Sequence, residues 1–396
     1  MQKQTIRDAD VDGKRVLVRV DFNVPIENGV ISDDTRIRAS LPTINNLLDR
    51  NSAVILMSHL GRPRGKPADE LRLHPIADRL ARLLDRPVKT AAEVVGSAVR
   101  EAADSLQPGE LLLLENVRFE SGEENNDPSL AWELASLAEI YVNDAFGSAH
   151  RAHASTVGVA EYLPAYAGLL MEAEIRALGS LLDQPDRPFV AILGGAKVSD
   201  KVGVIANLID RVDIILVGGG MANTFLSAVG HEVGSSLAER DFGQRARDLL
   251  MSARERGVTF LLPDDVVAAK SMESKEEVID VDSVLADHSI FDIGPRTVEH
   301  FATEISRAQT VFWNGPMGVF ERDQFASGTR GIAEAVAANP GFTVIGGGDS
   351  VAAIEQAGLA DRISHISTGG GASLEYIEGK ELPGVAALLD AKEQAD

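Results

Sequence analysis

The sequence predicts an α/β protein built on doubly wound parallel sheets. Ten apolar runs of strand length recur along the chain, with amphipathic segments of helical length between them. The runs are continuous rather than alternating, which is typical of strands covered on both faces. Strands that alternate with helices favour parallel sheets. The runs are residues 15–22, 53–59, 111–117, 140–146, 189–195, 213–220, 259–265, 310–316, 342–348 and 363–371.

The length of the chain predicts two domains, because 396 residues exceed the size that one hydrophobic core usually serves. A helical apolar face near the middle of the chain predicts a connecting helix, which Pro185 and Pro188 bring to an end. The positions on this face are Met171, Ile175, Leu178 and Leu182. The predicted boundaries are residues 1–170 for the N-terminal domain, 171–187 for the connecting helix or hinge, 188–384 for the C-terminal domain and 385–396 for a tail.

The composition indicates a cytoplasmic protein. The first residues contain no apolar stretch, so we expect no signal peptide, and no run approaches the roughly 20 apolar residues of a membrane span. The chain contains no cysteine, which excludes disulfides, thiolate nucleophiles and cysteine-bound metals. The net charge of −22 argues against non-specific nucleic-acid binding, which needs a basic surface.

Cationic side chains follow the apolar runs in the first 151 residues, in the segments VDFN, SHLGRPRGK, ENVRFE and AHRAH. Arginine forks suit carboxylates and phosphates, so these segments predict a pocket for a small multiply charged acid. Its candidate residues are Asp21, Asn23, His59, Arg62, Arg118 and Arg151. Arg36 is a further candidate, with an ion pair to Asp33 or Asp34 as the alternative. His150 and His153 have no third ligand near in sequence, so we do not expect zinc.

Glycine clusters follow the apolar runs after Pro188, in the segments GGAKVSDK, GGGMANT, NGPMGVFE, GGGDS and TGGGAS. Glycine turns that lead into helices offer free N–H groups to phosphate, so five such clusters favour a nucleotide site over five ordinary turns. The Walker A pattern and the dinucleotide fingerprint are both absent from the sequence. Asp349 is either a helix N-cap or a Mg²⁺ ligand. Lys197 and Lys201 are four residues apart, so they share one face if a helix begins nearby, and two ammonium groups on one face favour an anion between them.

These segments, taken in order, resemble the phosphoglycerate kinase family from about residue 5 to residue 389. The resemblance implies a monomer of two Rossmann-like doubly wound domains, joined by a helix with a cleft between them, and a tail that packs back on the first domain. The N-terminal domain would bind 3-phosphoglycerate or 1,3-bisphosphoglycerate, and the C-terminal domain ADP or ATP with Mg²⁺. The implied reaction is reversible in-line phosphoryl transfer with domain closure.

The resemblance also implies roles for individual residues. The implied catalytic residues are Arg36, Lys197, Gly347 and Gly370. The implied substrate-binding residues are Asp21, Phe22, Asn23, Arg36, His59, Leu60, Gly61, Arg62, Arg118 and Arg151. The implied nucleotide-binding residues are Gly195, Ala196, Lys197, Lys201, Gly218, Gly219, Asn314, Pro316, Glu321, Gly347, Gly348, Asp349 and Ser350, with Asp349 as the Mg²⁺ ligand.

One residue departs from the family pattern, and two other function classes compete with the kinase. Ile290 stands where the family often has a glycine that lines the nucleotide pocket, which affects the expected shape of that pocket. A NAD-dependent dehydrogenase is disfavoured because the dinucleotide fingerprint is absent. A non-catalytic protein that binds phosphorylated metabolites or nucleotides on the same fold remains the alternative, although its charged residues would then have no catalytic use.

Overall fold

The structure, a computed structural model, describes residues 3–27 and 29–391. The described chain forms two compact units, which comprise residues 3–176 with 381–391, and residues 177–380. In this part of the chain no helix has both the length and the apolar character that a membrane span requires.

The first unit contains a parallel sheet, a small hairpin and surrounding helices. Its strands are β1 (Arg15–Arg19), β2 (Ile26–Glu27), β3 (Val30–Ile31), β4 (Ala53–Met57), β5 (Lys89–Thr90), β6 (Leu111–Leu113), β7 (Ile140–Asn143) and β8 (Ala165–Ala167). Its helices are α1 (Thr35–Asp49), α2 (His74–Leu84), α3 (Ser97–Asp104) and α4 (Pro128–Ala135), and α5 (Leu169–Leu182) leads out of it. Short 3-10 turns cover Asp69–Leu71, Val117–Phe119, Phe146–Ser148 and Gly158–Glu161.

The sheet of the first unit has the strand order β5-β6-β4-β1-β7-β8, and all its described pairs are parallel. Strands β4, β6 and β7 are buried along their whole length, as their continuous apolar runs predict. The chain leaves β1 toward β4 on one side and later returns to β7 on the other. The carboxyl ends of β1 and β7 therefore form a topological switch point, where ligands bind in such sheets.

The second unit contains a parallel sheet and a separate antiparallel sheet. Its strands are β9 (Phe189–Leu193), β10 (Ile214–Val217), β11 (Thr259–Leu261), β12 (Asp265–Ala269), β13 (Glu277–Asp280), β14 (Ser289–Ile293), β15 (Thr310–Asn314), β16 (Phe342–Gly346) and β17 (His365–Ile366). Its helices are α6 (Val202–Leu208), α7 (Gly219–Ala228), α8 (Gly243–Glu255), α9 (Pro295–Arg307), α10 (Ser327–Ala338), α11 (Gly348–Gln356) and α12 (Gly371–Ile377). Short 3-10 turns cover Arg240–Phe242, Val281–Ser283, Asp323–Phe325 and Ala360–Arg362.

The parallel sheet of the second unit has the order β11-β10-β9-β15-β16-β17. Its switch point lies between β9 and β15, at the carboxyl ends that carry two of the glycine clusters. The antiparallel sheet, in the order β13-β12-β14, did not follow from the sequence reading. Strand β13 is mostly exposed, so its residues give no apolar run to detect.

Both ends of the described chain meet in the first unit. Gln4 N donates to Leu389 O at 2.8 Å, and Lys3 Nζ donates to Leu388 O at 2.9 Å. A short helix, α13 (Pro383–Ala386), is attached to the same unit where Gly384 N donates to Ala149 O at 2.8 Å. The part of the predicted tail beyond residue 391 lies outside the described residues.

The first turn of helix α5 is hydrogen-bonded to a buried carboxylate. Asp144, fully buried, follows β7, and its Oδ1 accepts hydrogen bonds from Leu170 N at 2.9 Å and Met171 N at 3.2 Å. Burial raises the pKa of Asp144 to about 7, and the Thr43 hydroxyl and the two helix amides, which favour the ionised form, offset this only in part. The helix ends at Leu182, before Pro185.

Candidate active site

The site residues predicted in the first unit follow the strands around its switch point. Asp21 and Asn23 follow β1, and His59 and Gly61 follow β4. Arg118 lies in the 3-10 turn after β6, and Arg151 lies in the loop region after β7. Arg36 is in the first turn of α1. The carboxyl ends of these neighbouring strands thus gather the predicted pocket at one edge of the sheet.

Arg36 pairs with the predicted pocket rather than with its neighbours in sequence. Its Nη1 donates to Asp21 Oδ1 and to Asn23 O, both at 3.2 Å. The alternative ion pairs do not form, because Asp33 accepts from Thr35 N and Asp34 pairs with Arg38 and Arg79. The Arg36 side chain remains 38% exposed, so part of its guanidinium is open to a ligand.

Three of the predicted loops are tied together by hydrogen bonds. Asn23 Oδ1 accepts from Gly61 N at 2.9 Å, and Arg118 Nη1 donates to Gly61 O at 2.7 Å. Asn116, which the sequence reading did not select, accepts from Leu60 N at 3.2 Å and donates to Leu60 O at 2.8 Å. These bonds fix the loops after β1, β4 and β6 relative to one another.

Arg19 is a pocket residue that the sequence reading missed. It is fully buried at the end of β1 and donates to Ser155 Oγ at 2.7 Å and to His59 Nδ1 at 3.2 Å. An arginine can only donate, so Nδ1 of His59 is the acceptor and the ring is the neutral Nε2–H tautomer. Burial, together with Arg19, Arg118 and Arg36, holds the pKa of His59 well below its usual value, although Asp21 opposes the shift. The one signal was an arginine inside the apolar run 15–22.

Positive charge dominates the electrostatics of this pocket. Burial alone would raise the pKa of Asp21, but the cationic groups beside it, including Arg36 and Arg19, hold it below its usual value. Because His59 is neutral, the two arginines supply this stabilisation. The pKa of Arg118 is lowered by burial and by the neighbouring Arg19 and Arg151, although Glu124 opposes the shift. Cations that are crowded in this way are relieved when an anion binds between them.

The remaining predicted residues of the first unit divide into exposed cations and core side chains. Arg62 is exposed and makes no hydrogen bond or ion pair within residues 3–27 and 29–391. Arg151 donates to His150 Nε2 at 3.0 Å. Phe22 and Leu60 are buried, so their side chains belong to the hydrophobic core and leave only backbone groups for a ligand.

In the second unit three glycine-bearing loops meet backbone to backbone. Gly195 N donates to Pro316 O at 2.9 Å, and Gly219 N donates to Met317 O at 2.8 Å. Gly219 has a φ of +66°, and a Cβ there would lie 2.7 Å from Gly195 N and 2.9 Å from Pro316 O. No side chain fits between these strands of backbone, so glycine is required at this position.

Lys201 is held inside this arrangement. Its Nζ donates to Gly194 O at 2.7 Å and to Asn314 O at 2.8 Å, and the residue is only 8% exposed. Burial lowers the pKa of Lys201 to about 8, although Asp349 and Asp200 favour the charged form. An ammonium group has three N–H donors, so one remains for an anion.

The predicted helical face shared by Lys197 and Lys201 is wrong. Helix α6 begins only at Val202, so both lysines lie in the preceding loop, where Lys201 turns inward and Lys197 is exposed. The glycines at 194 and 195 allow this loop to fold back on the backbone after β15 instead of continuing as a helix. Burial would raise the pKa of Glu239, but hydrogen bonds from Ser199 and Val198 hold it below its usual value. The nearby charge of Lys197 lowers it further.

The glycine cluster after β16 leads into helix α11, as predicted, but Asp349 does not cap it. The N-cap residue is Gly347, with a φ of +89° and no side-chain hydrogen bond, and Asp349 lies exposed in the first turn. Ser350 Oγ accepts from Gly315 N at 2.5 Å and so links this helix to the loop after β15. Asn314, 2% exposed, has no hydrogen-bond partner at Nδ2 among the described residues, beside Gly347. Because Asp349 is exposed and does not cap the helix, its carboxylate is available to bind a cation.

A cavity of about 480 Å³ opens beside these loops within the second unit. Its wall includes six predicted residues, namely Gly195, Ala196, Gly219, Pro316, Glu321 and Asp349. Ile290, the departure from the family pattern, also lies in this wall, where it packs with Leu226 and Val233. Lys197, Lys201, Gly218, Asn314, Gly347, Gly348 and Ser350 are not in the wall, and Gly370 begins helix α12 elsewhere in the unit.

Two doubly wound units, one with a cation-rich pocket and one with a glycine-lined cavity, are the architecture of a two-domain α/β kinase. Comparison with known proteins identifies the family. The family model for phosphoglycerate kinase matches residues 6–380. The chain belongs to the phosphoglycerate kinase family and is thus a nucleotide-dependent phosphotransferase.

Relatives and solved structures agree with this membership. A phosphoglycerate kinase of Roseiflexus sp. (strain RS-1) is 60% identical over 395 residues, which cover 99% of this chain and 100% of the relative. A phosphoglycerate kinase of Chloroflexus aurantiacus is 57% identical over 400 residues, covering 99% and 100%. The structure of phosphoglycerate kinase from Coxiella burnetii superposes with a TM-score of 0.89 at 42% identity, covering 97% of this chain and 98% of that one.

Proposed function

We propose that this chain transfers a phosphoryl group reversibly between 1,3-bisphosphoglycerate and MgADP, giving 3-phosphoglycerate and MgATP. The observation that carries the proposal is the crowding of Arg19, Arg36 and Arg118 in one pocket of a chain 60% identical to a phosphoglycerate kinase over 99% of its length. A protein without an anionic ligand would have no use for that charge. We infer that the phosphoglycerate occupies this pocket and that the nucleotide occupies the glycine-lined cavity.

The reaction needs alignment and charge stabilisation more than covalent chemistry. An oxygen of the ADP β-phosphate attacks the phosphorus of the acyl phosphate, the bond to the acyl oxygen breaks, and the carboxylate leaves with the electron pair. Arg36, with its guanidinium partly open, is assigned to the reacting carboxylate and the phosphoryl group. Lys197, which no described residue neutralises by an ion pair, is assigned to the same phosphoryl group, and Gly347 and Gly370 would offer backbone N–H groups.

In the acid pocket, His59 would donate through Nε2–H, because Arg19 occupies Nδ1. Arg62, Arg118 and Arg151 would supply charge-assisted hydrogen bonds to the phosphate and carboxylate of the substrate. Asp21 and Asn23 are assigned to its hydroxyl group and to the orientation of Arg36. Lys201 and the N–H groups at the start of α11 would bind nucleotide phosphate.

Mg²⁺ fits the donor set of the second unit. The described residues contain no cluster of three or more His, Cys, Asp or Glu side chains that could hold a metal alone. Magnesium is commonly held by one carboxylate together with substrate phosphates and water, and Asp349 is an exposed carboxylate at the first turn of α11. When bound, Mg²⁺ would neutralise charge on the nucleotide phosphates.

We infer further that the enzyme is a cytoplasmic monomer that binds neither nucleic acid nor membranes. The net charge of −22 supports the absence of nucleic-acid binding. Domain closure, which direct transfer between ligands on different units requires, stays a prediction. Sedimentation of the purified chain would test the monomer.

The experiment that tests the function is a coupled assay of ATP formation from 1,3-bisphosphoglycerate and ADP, with and without Mg²⁺. Arg36→Ala should lower kcat by about 10²-fold, the loss expected for one preorganised charge stabiliser. Arg38→Ala is the matched control, because Arg38 lies on the same helix but pairs with Asp34. Binding of 3-phosphoglycerate without any turnover would instead support the non-catalytic alternative.

A further inference from the structure

A residue that lines the cavity of the second unit carries a buried amide oxygen without a hydrogen-bond partner among the described residues. Asn223, in helix α7, is 1% exposed and forms part of the cavity wall. Its Nδ2 donates to Leu237 O at 3.1 Å. Only the amide nitrogen can donate to a carbonyl, so this bond fixes the orientation of the side chain and identifies the other atom as Oδ1. No described residue donates to Oδ1.

An unpaired acceptor of this kind is unusual in a protein interior. Buried polar atoms nearly always have a partner, because desolvation without a hydrogen bond is unfavourable. A ligand that offers an N–H group to Oδ1 would remove this cost. Because Asn223 forms part of the cavity wall, such a ligand would be one that binds in the cavity.

Other buried polar side chains of the described wall are already engaged. Both oxygens of Asp292 accept backbone hydrogen bonds, from Gly328 N at 2.6 Å and Ile293 N at 2.9 Å. Ser235, which is exposed, also donates its hydroxyl within the protein, to Ala286 O at 3.0 Å. Much of the remaining wall is apolar, with Ile290, Phe291, Met317 and Val319 among its members. The cavity therefore suits a largely apolar group that carries an N–H donor.

We propose that Asn223 selects the base of the bound nucleotide by accepting a hydrogen bond from the 6-amino group of adenine. The inference rests on the proposed function, which places ADP or ATP in this cavity. The 6-amino group carries the only N–H donors on the base of an adenine nucleotide, so it is the group that can pair with Oδ1. Asn223 is thus a specificity-determining residue, apart from the groups that bind phosphate.

The test compares two nucleotides that differ only at this group. Isothermal titration of the full chain at constant Mg²⁺ measures the Kd of ADP and of purine riboside 5′-diphosphate, which lacks the 6-amino group. We expect the second nucleotide to bind roughly fivefold more weakly, the effect of one neutral hydrogen bond.

Two variants separate this hydrogen bond from the general shape of the cavity. Asn223→Leu keeps a side chain of similar size but removes the acceptor, so the two Kd values should come within about twofold of each other. Ile290→Val changes the same wall without changing a polar atom, so it should shift both Kd values and preserve their ratio.

Equal Kd values for the two nucleotides in the unsubstituted chain would overturn the inference, and so would a ratio that survives Asn223→Leu. If the Leu variant does not fold, the comparison in the unsubstituted chain still decides. The assay of ATP formation separates this failure from that of the proposed function. Normal turnover with equal Kd values would refute only the proposal that Asn223 selects the base. Absence of both ADP binding and turnover would refute both proposals.

Discussion

Replacing Asp144 with Asn should stabilise the first unit in a way that depends on pH. Asp144 is fully buried at the start of α5, and burial raises its pKa from 3.8 to about 7. An asparagine Oδ1 can still accept from Leu170 N and Met171 N, so the helix keeps its N-terminal partner. The substitution therefore removes a buried charge and leaves the capping bonds in place.

The sign and size follow from proton linkage. A carboxyl whose pKa is raised on folding contributes most stability below its unfolded value of 3.8, and this contribution is lost as the pH rises to about 7. Each unit of pKa difference corresponds to about 1.4 kcal/mol. The cost of Asp144 relative to a neutral isostere is then about 2 kcal/mol at pH 5 and about 4 kcal/mol at pH 8. Asp144→Asn should recover this difference.

The assay is urea unfolding at both pH values. Trp132 lies in the first unit and Trp313 in the second, so Trp132 fluorescence in a Trp313→Phe background reports on the unit that contains Asp144. Asp127→Asn is the control, because Asp127 caps α4 in the same unit but is partly exposed. A free-energy difference between the Asp144→Asn variant and its parent that is the same at pH 5 and pH 8 would refute the reasoning.

Three further predictions concern the two ligand regions. Gly219→Ala should weaken ADP binding by at least tenfold and lower the free energy of unfolding by about 2 kcal/mol, because its Cβ would meet the backbone of Gly195. Isothermal titration measures the binding, and urea unfolding measures the stability. The Kd of ADP should rise as the pH passes about 8, where Lys201 loses its proton, and Lys201→Arg should flatten that profile in the same titration. Arg19→Met should raise the pKa of His59, which nuclear magnetic resonance titration of its ring measures; an unchanged pKa would show that burial alone sets it.

Strand periodicity and motif order were sufficient to predict the α/β class and to locate most of the loops. The buried strands β4 and β6 contain only apolar residues, and β7 has its one amide, Asn143, at its end, so their runs are easy to recognise. Strand β13 begins and ends with a charged residue and is mostly exposed, so the antiparallel sheet gives no comparable apolar run in the sequence. Where a strand owes its existence to pairing rather than to burial, the local sequence says little.

The chemistry of the site was less accessible than its location. The sequence alone does not place Arg19 in the pocket, because its hydrogen bond to His59 depends on the fold. The spacing of Lys197 and Lys201 predicted a shared face because it assumed a helix, whereas the helix begins one residue after Lys201. The role proposed for Asn223 depends on the carbonyl of Leu237, fourteen residues away, which accepts from Nδ2 and leaves Oδ1 as the unpaired atom.

The pairing of residues 3 and 4 with residues 388 and 389 has a consequence for synthesis on the ribosome. The first unit emerges early, yet the strand of backbone that completes it is made only after residues 177–380. At about 5 to 20 residues per second, translation of residues 177–380 takes roughly 10 to 40 s. During that interval the second unit, which is continuous in the chain, can fold to completion while the first waits for its closing segment. The order of completion is thus the reverse of the order of synthesis.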